Sequence, residues 1–446
     1  MTHPASPTSH PANERGRFAT ARIVMRGGIG NFIEWYDWTV YGLLAALFAQ
    51  QIFPNTDETL SLLATLGSFA IGFVARPLGS VLLSPYGDRH GRRRLLSLTI
   101  VIMGACSLVI AVTPSYGSIG IFAPLIFVVA RLIQGVSAGA EFQSASAYVV
   151  EHAPPDRRAL YGSAQLISIG AAILAATATS SLITQVIPEP ALSTWGWRIP
   201  FALGAVMSLY GLYLRMHAPE SPSFEHVAAT GRIRRNPIRS SLRQHPVSWL
   251  RVVAIQMMTV PFYLWTVFLP TYANLSSGLP LAQGMIGSTI ALLVFTVTLP
   301  FAGVFSDRVA GRRPMLLFSS LGFVLLAYPL LQLLKQDSFA LFLLADVVGC
   351  LLMVPLYSVM AAAFCELFPP EVRTSGIGVP YAITTAVFGG TIPLIATSLI
   401  GAGHPDLIAA YVMAVCLVAA AVYWKMPETV HAKLDEPVDD TRRSLA

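Results

Sequence analysis

Twelve long apolar runs divide this chain of 446 residues. A run of about 18 or more apolar residues is long enough to cross the hydrocarbon core of a bilayer. In that core, backbone polar groups are satisfied by helices or closed barrels. The runs show no two-residue alternation, and only 12% of the residues are charged. The sequence therefore predicts an all-α membrane protein with twelve transmembrane helices and excludes a soluble fold. The predicted spans are residues 27–51, 61–85, 94–113, 121–150, 159–187, 197–216, 250–273, 281–305, 314–334, 339–366, 374–400 and 406–424.

The basic residues are concentrated in alternate connections between these runs. If the N-terminus is inside, the inner segments carry 25 of the 29 Lys and Arg residues when Arg94, Arg215 and Arg251, at the inner ends of runs, are counted with them, and the outer loops carry only Lys335. The other three, Arg76, Arg131 and Arg198, lie within runs. Because positive charge favours the cytoplasmic side of a membrane, we expect both termini in the cytosol. The net charge of +6 is then a signal of membrane topology, and we expect no nucleic-acid partner.

The longest connection is rich in Pro, Ser and Arg, which predicts a cytosolic linker between two halves of the protein. The predicted parts are an N-terminal tail (1–26), a first six-helix half (27–216), the linker (217–249), a second six-helix half (250–424) and a C-terminal tail (425–446). The first 25 residues lack the apolar core of a signal peptide, so they are expected to form a cytosolic tail.

A motif of Asp-Arg followed by Gly-Arg-Arg occurs once in each half, after the second run. Residues 86–94 read YGDRHGRRR, and residues 303–314 read GVFSDRVAGRRP. Glycine permits a tight turn, and an aspartate at a helix end can cap a neighbouring helix or pair with arginine. The arginines of a single loop could merely set the membrane topology. Because the motif occurs at matching positions in both halves, a role in closing the cytosolic side is favoured. The repeat also agrees with transporters built from two related halves. The predicted gate residues are Asp88, Arg89, Arg92, Asp307, Arg308 and Arg312.

In the first run, the segment GNFIEWYDW contains two carboxylates, Glu34 and Asp37, on one helix face. A charge near the membrane centre costs about 2.5–3.5 kcal/mol, so such residues face a bundle interior or an aqueous cavity. The expected partners are Arg76, Arg131 or both, and Glu141 is a third buried acid. The helical rise places Asp37, Arg76 and Glu141 each about 15–16 Å from the inner end, with Arg131 farther outward. The sequence leaves open which arginine meets which acid.

These buried charges have two explanations. Separating a carboxylate from its arginine changes the proton affinity of the carboxylate, so Asp37, Glu34 and Glu141 are candidates for proton coupling. Alternatively, a static salt bridge locks the first, second and fourth helices together. Arginine within a span also offers fixed positive charge to a carboxylate substrate.

A substrate cavity between the halves would draw on polar side chains of both. The tyrosines could equally be anchors at the membrane interface, and Asp346 is a further buried charge in the second half. The predicted substrate-binding residues are Arg76, Arg131, Gln134, Gln256, Tyr263, Tyr357 and Tyr381.

Enzyme motifs are not supported. Residues 135–139 read GVSAG, but this match to the hydrolase elbow falls within a predicted helix and lacks a histidine base. The chain contains no Gly-Lys dipeptide and hence no Walker A loop. The spacing of its four cysteines suggests neither a disulfide framework nor a metal site. We therefore expect no enzyme activity, no cofactor and no metal, with transport driven by an ion or substrate gradient unless a separate ATPase subunit supplies the energy.

The paired loops resemble the signature Gly-x-x-x-Asp-Arg-x-Gly-Arg-Arg of the major facilitator superfamily. The chain departs from it at Ser84, which replaces the first glycine, and by one inserted residue before Gly311, so the second gate could be built differently. The segments GNFIEWYDW, ARPLGS, RLIQGVSAGAE and WGWRIPF are together similar to the metabolite–proton symporter branch. In proton-coupled members, an acid of the first helix faces the arginine of an RxxQG segment, which favours Asp37 with Arg131 and places Glu34 second.

This resemblance implies a monomeric, proton-coupled symporter in the inner (plasma) membrane of a bacterium. The expected substrate is a small organic anion, a di- or tricarboxylate such as citrate or 2-oxoglutarate, carried by alternating access. The alternatives are uptake of shikimate or of an osmolyte such as proline or betaine, and a ligand sensor that does not transport. The C-terminal tail shows no heptad repeat, which weighs against the osmolyte transporters that have a coiled-coil extension.

Overall fold

The computed structural model describes residues 12–430 and 432–435, and its regular structure is helical throughout. Within this part, eleven segments are long and apolar enough to cross a membrane. The remaining span, Ala12–Ile52, is longer than any of them but contains Glu34 and Asp37 and is more polar. The spans are α1 (Ala12–Ile52), α2 (Glu58–His90), α3 (Arg92–Val112), α4 (Phe122–Glu151), α5 (Arg158–Val186), α6 (Arg198–Met216), α7 (Pro246–Ser277), α8 (Leu281–Ala310), α9 (Arg313–Leu333), α10 (Phe339–Glu366), α11 (Arg373–Gly401) and α12 (Asp406–Trp424).

The helices extend beyond several of the predicted boundaries. Helix α1 begins at Ala12, inside the predicted N-terminal tail, and no Gly or Pro interrupts it between residues 18 and 26. The predicted linker contains two short helices, Pro222–Ala229 and Pro237–Gln244. Each begins with proline, whose missing N–H is harmless in the first turn of a helix. Residues 1–11 of the predicted N-terminal tail, and residues 431 and 436–446 of the predicted C-terminal tail, lie outside the described residues.

Helices α7, α8 and α11 each contain one π-helical turn, in which an extra residue is accommodated. These turns are Leu264–Phe268, Ser306–Ala310 and Thr385–Gly389. Such turns are frequent at functional sites. The turn in α8 absorbs the residue inserted before Gly311, whose N–H bonds the Ser306 carbonyl at 2.9 Å. The second copy of the loop motif therefore keeps the geometry of the first despite the insertion.

Glycines let α2 and α4 approach each other closely. A Cβ atom built on Gly135 would overlap the backbone of Gly72, and one on Gly139 would overlap the backbone of Arg76. Ser137, between the two glycines of α4, donates its hydroxyl hydrogen to the Thr99 carbonyl at 3.0 Å. The GVSAG segment thus serves close helix packing, as small residues do in membrane helices.

The two halves meet along α2 with α11 and along α5 with α8 and α10. Gly91 follows the end of α2, and Gly311 follows the end of α8; the chain around both glycines is rich in arginine. We call the side of the bundle where these two helices end the arginine-rich end. A cavity lies between the halves, and α1, α2, α4 and α5 face α7, α10 and α11 across it.

Candidate functional site

The cavity between the halves has an empty volume of about 640 Å³. Apolar side chains such as Phe142 and Leu166 form part of its wall. Most of the predicted substrate-binding residues line it, together with one predicted proton-coupling residue. These are Arg76, Gln256, Tyr263, Tyr357, Tyr381 and Glu34.

Arg76 is the cationic side chain of the cavity wall. Its Nη2 donates to Glu34 Oε1 at 3.0 Å, and its guanidinium lies over the rings of Phe73 and Trp38, at 4.5 and 5.0 Å. Its Nε has no hydrogen-bond partner among the described residues. Because an arginine offers five N–H donors, this side chain can hold Glu34 and still bind an added carboxylate.

The opposite wall supplies amide and hydroxyl groups from the second half. Gln256 donates to the Thr385 hydroxyl at 2.8 Å, beside the π-helical turn of α11. Tyr357 donates to the Met258 carbonyl at 3.2 Å. Tyr381 stacks on Phe142 of the first half, with ring centroids 5.1 Å apart. The tyrosines therefore line the space between the halves.

Arg131 and Gln134 lie outside this cavity, in a closed cluster around Asp37. Arg131 Nη1 donates to Asp37 Oδ2 at 2.9 Å, and Gln134 donates to the same oxygen at 3.0 Å. Ser107 donates to Asp37 Oδ1 at 2.7 Å. The Arg131 guanidinium also lies 3.8 Å from the ring centroid of Tyr41. Arg131 and Asp37 are fully buried, so neither charge reaches the cavity wall.

Glu141 pairs with neither Arg76 nor Arg131 but with Arg215, which the sequence analysis counted among the inner segments. Arg215 Nη2 lies 2.5 Å from Glu141 Oε1, and Thr99 donates to the other carboxylate oxygen. Gly30 of α1 leaves the room for this pair, because a Cβ atom there would overlap both side chains. Each of the three predicted proton-coupling acids, Glu34, Asp37 and Glu141, thus has its own arginine. The position of Arg215 within the sixth apolar run was the available signal.

The arginine-rich end holds two matching sets of contacts between the halves. In the first, Asp88 accepts the backbone N–H groups of Thr374 and Ser375, at 3.0 and 2.8 Å, in the first turn of α11. Arg92 lies 3.6 Å from Asp88, and it donates to Glu151 at 3.4 Å. Glu151 also pairs with an arginine of α11, Arg373.

The second set repeats the first with the halves exchanged. Asp307 accepts the N–H groups of Ala159 and Leu160 in the first turn of α5, at 3.0 and 2.9 Å. Arg312 lies 2.8 Å from Asp307 and 3.1 Å from Glu366. An arginine of α5, Arg158, lies 3.6 Å from Glu366.

Four of the six predicted gate residues belong to these sets. Arg89 instead donates to the Arg235 carbonyl in the linker, and Arg308 is exposed. The sequence analysis did not predict Glu151 and Glu366, or the arginines Arg373 and Arg158 that pair with them, although a repeated segment indicates their positions. Residues 151–158 and 366–373 both read Glu-x-x-Pro-Pro-x-x-Arg.

Two six-helix halves around a cavity, bridged at one end by capping aspartates, have the repeated architecture common among membrane transporters. Residues 27–243 match the family described as "Sugar (and other) transporter", and residues 278–446 match "Major Facilitator Superfamily". The chain is 33% identical to the shikimate transporter of Escherichia coli (strain K12), with 91% of this chain and 95% of that protein covered.

Two further relatives are similar over most of their length. The citrate-proton symporter of Klebsiella pneumoniae is 35% identical, covering 85% of this chain and 86% of that protein. The alpha-ketoglutarate permease of Escherichia coli (strain K12) is 34% identical, covering 88% and 90%. A solved structure of the proton:xylose symporter XylE has a TM-score of 0.74 at 20% identity, covering 94% of this chain and 98% of that one. The chain therefore belongs to the major facilitator superfamily, and it is a multi-pass membrane transporter and not an enzyme.

Proposed function

We propose that this protein is a proton-coupled symporter that imports a small organic acid by alternating access. The names of its relatives support this class, since they include a citrate-proton symporter, an alpha-ketoglutarate permease and a shikimate transporter. The observation that carries the proposal is the cavity wall at Arg76. There, an arginine with an unpartnered Nε stands beside a carboxylate, Glu34, and faces tyrosines and an amide across the cavity.

Arg76 is the residue we assign to the substrate carboxylate, which would form a charge-assisted hydrogen bond with it. We assign Arg131 and Gln134 to the Asp37 cluster instead, because that cluster is fully enclosed. The hydroxyl groups of the tyrosines and the Gln256 amide would then orient the rest of the substrate.

Glu34 is the acid we assign to proton coupling. It competes with the substrate for Arg76, so a proton on Glu34 frees the arginine for an incoming carboxylate. Asp37, which the resemblance placed first, accepts hydrogen bonds from Arg131, Gln134 and Ser107. Both of its carboxylate oxygens therefore already have donors inside a closed cluster. A di- or tricarboxylate such as citrate or 2-oxoglutarate, which carries excess negative charge, gains most when Glu34 is neutral.

A second candidate substrate is a monocarboxylate with several hydroxyl groups, such as shikimate. Among the described lining residues, Arg76 is the cavity's one arginine or lysine, and Glu34 is its one acid. This balance suits one substrate carboxylate. A zwitterionic osmolyte fits the same pair of charges, so betaine belongs in the substrate panel.

Membrane orientation follows from the same proposal. The arginine-rich end would face the cytosol, with both termini, in the inner (plasma) membrane of a bacterium. The two sets of aspartate caps would close the cytosolic side while the cavity is reached from outside. They would separate to release the substrate inside.

The test is uptake into proteoliposomes under an imposed inward proton gradient, with citrate, 2-oxoglutarate, shikimate and betaine in turn. Wild-type uptake should rise with the gradient. Glu34→Gln should lose this rise and keep counterflow, which needs no net proton movement. Glu189→Gln, at an exposed position, is the matched control.

Three outcomes would change the proposal. If Asp37→Asn uncouples transport and Glu34→Gln does not, the coupling acid is Asp37. If wild-type uptake ignores the gradient, symport is refuted. If binding occurs without any counterflow, the protein is a ligand sensor.

A further inference from the structure

One buried acid differs from all the others in the described part of the chain. Eight carboxylates are buried there, and seven of them have an arginine within 4.0 Å. Asp346 of α10 is the exception. It is completely buried. The seven paired acids are Glu34, Asp37, Asp88, Glu141, Glu151, Glu366 and Glu371.

The surroundings of Asp346 are polar but uncharged. Ser288 of α8 donates to Oδ2 at 2.5 Å, and the Cys350 thiol donates to Oδ1 at 3.7 Å. Of the helices packed against α10, α8 has no charged residue from Leu281 to Phe305, and α7 has none after Arg251. Helix α4 also packs against α10, and its charged residues Arg131, Glu141 and Glu151 are held in the ion pairs described above. Helices α5 and α9 have none beyond their first residues. The remaining titratable groups on α7 and on the neighbouring loop are Tyr263, Tyr272, Lys335 and Asp337, and Lys335 is paired with Asp406 at 2.8 Å.

The position of Asp346 corresponds to that of Arg131 in the first half. Arg131 lies 20 residues before Glu151, and Asp346 lies 20 residues before Glu366, in the repeated Glu-x-x-Pro-Pro-x-x-Arg segment. Ala345, which precedes Asp346, accepts a hydrogen bond at its carbonyl from Nε1 of Trp265 in α7, at 3.1 Å. The place that holds an ion pair in the first half thus holds a single carboxyl group beside the π-helical turn of α7.

An ionised carboxylate in such a site would be unstable. Moving an unpaired charge from water to an apolar interior is so costly that a group usually becomes neutral instead. Two neutral donors recover only part of that cost. Asp346 is therefore expected to hold a proton in this conformation, and to release it only when water reaches the contact between α8 and α10.

We propose that Asp346 is a second proton-binding site, loaded while the halves are arranged as here and unloaded when the end of the bundle opposite the arginine-rich end rearranges. By the helical rise, Asp346 and Ser288 each lie about 10 Å from that end, since both are seven residues from the start of their helices. Release of the proton would leave a carboxylate beside the π-helical turn, where α7 is least regular. Its part in transport rests on the proposed function, whereas its protonation does not.

The first experiment measures the proton directly in the purified full-length protein at neutral pH. The infrared spectrum of the wild type should contain a carboxylic-acid C=O band that Asp346→Asn removes. Cys350→Ala keeps the acid and should shift the frequency of that band by removing one hydrogen bond. Asp337→Asn, at an exposed loop position, should leave the band unchanged. Loss of a carboxylate band in Asp346→Asn, with no change in the acid region, would overturn the proposal.

The second experiment separates a transport role from a structural one. In proteoliposomes, Asp346→Asn should lose most of the uptake driven by the proton gradient and retain counterflow. If the infrared band is present but Asp346→Asn takes up substrate like the wild type, the proton is structural and the transport role is overturned. If the wild type shows no uptake, the proposed function fails, and the infrared result still decides whether Asp346 holds a proton.

Discussion

The aspartate caps at the arginine-rich end predict how strongly that end is held closed. Asp88 joins the halves through two backbone N–H groups, those of Thr374 and Ser375. In Asp88→Asn, one carbonyl oxygen remains as an acceptor, but the charge is lost. The new amide group then points hydrogen atoms at a backbone N–H. The substitution therefore removes one charge-assisted bond and the favourable interaction of the carboxylate with the N-terminus of α11.

The magnitude follows from these two losses. A hydrogen bond to a charged group contributes about 1.5–3 kcal/mol, and a carboxylate at a helix N-terminus contributes about 0.3–1 kcal/mol. Asp88→Asn should therefore destabilise the closed arrangement by about 2–4 kcal/mol. The ratio of closed to open molecules should fall roughly 30- to 700-fold. Asp307 makes the same contacts with α5, so Asp307→Asn should act equally, and the double variant should add the two effects.

The assay is a distance measurement between spin labels at residues 156 and 309, which are exposed on opposite halves of the arginine-rich end. The wild type should show one short distance, and the double variant should add a longer one. Asp337→Asn, in a loop at the other end of the bundle, serves as the control. If the double variant keeps the short distance alone, the caps do not hold the halves together.

Three further substitutions test other parts of the structure. Arg76→Gln should abolish, and Arg76→Lys should weaken, the rise in melting temperature caused by the transported acid, because lysine lacks the planar fork that binds a carboxylate. Gly139→Ala should lower the free energy of unfolding by about 1–3 kcal/mol through overpacking, measured by thermal unfolding in detergent, whereas Gly42→Ala, with open space around it, should not. Arg215→Gln should cost about 3–5 kcal/mol, because it leaves Glu141 buried without a cation; the added change Glu141→Gln should recover much of that loss in the same assay.

The sequence predicted the twelve helices well because hydrophobic length is a local property. A span needs about 20 apolar residues wherever its neighbours lie, so its existence can be read without knowing the packing. The start of the first helix is the exception. Helix α1 continues back to Ala12, since residues 18–26 include the helix formers Ala, Arg and Met and contain no Gly or Pro.

The pairing of charges could not be read in the same way, because it depends on the rotation and tilt of each helix. The axial rise suggested that Asp37, Arg76 and Glu141 could share one layer. In the structure each acid instead meets a different arginine, and Arg76 takes Glu34, one turn from Asp37. Close approach of α2 and α4 at Gly135 and Gly139 contributes to this arrangement, and axial distance alone contains no such information.

At the arginine-rich end, the two halves make equivalent contacts with each other. Asp88 and Asp307 cap helices of opposite halves with nearly equal geometry, so the closing energy is shared between two equivalent sites. The proposed gate would therefore have to break both caps to open, and each cap would contribute its own share of the closing energy.

In the interior, the repeat has diverged. The position of Arg131 in α4 is occupied in α10 by Asp346, and the first half contains three buried ion pairs where the second half presents an amide and tyrosines to the cavity. Charge in the first half can respond to a proton, whereas neutral hydroxyl groups in the second half can bind substrate without changing charge. A symmetric gate around an asymmetric interior would let protonation inside the bundle, at Glu34 in one half and at Asp346 in the other, act on a closure that both halves share equally.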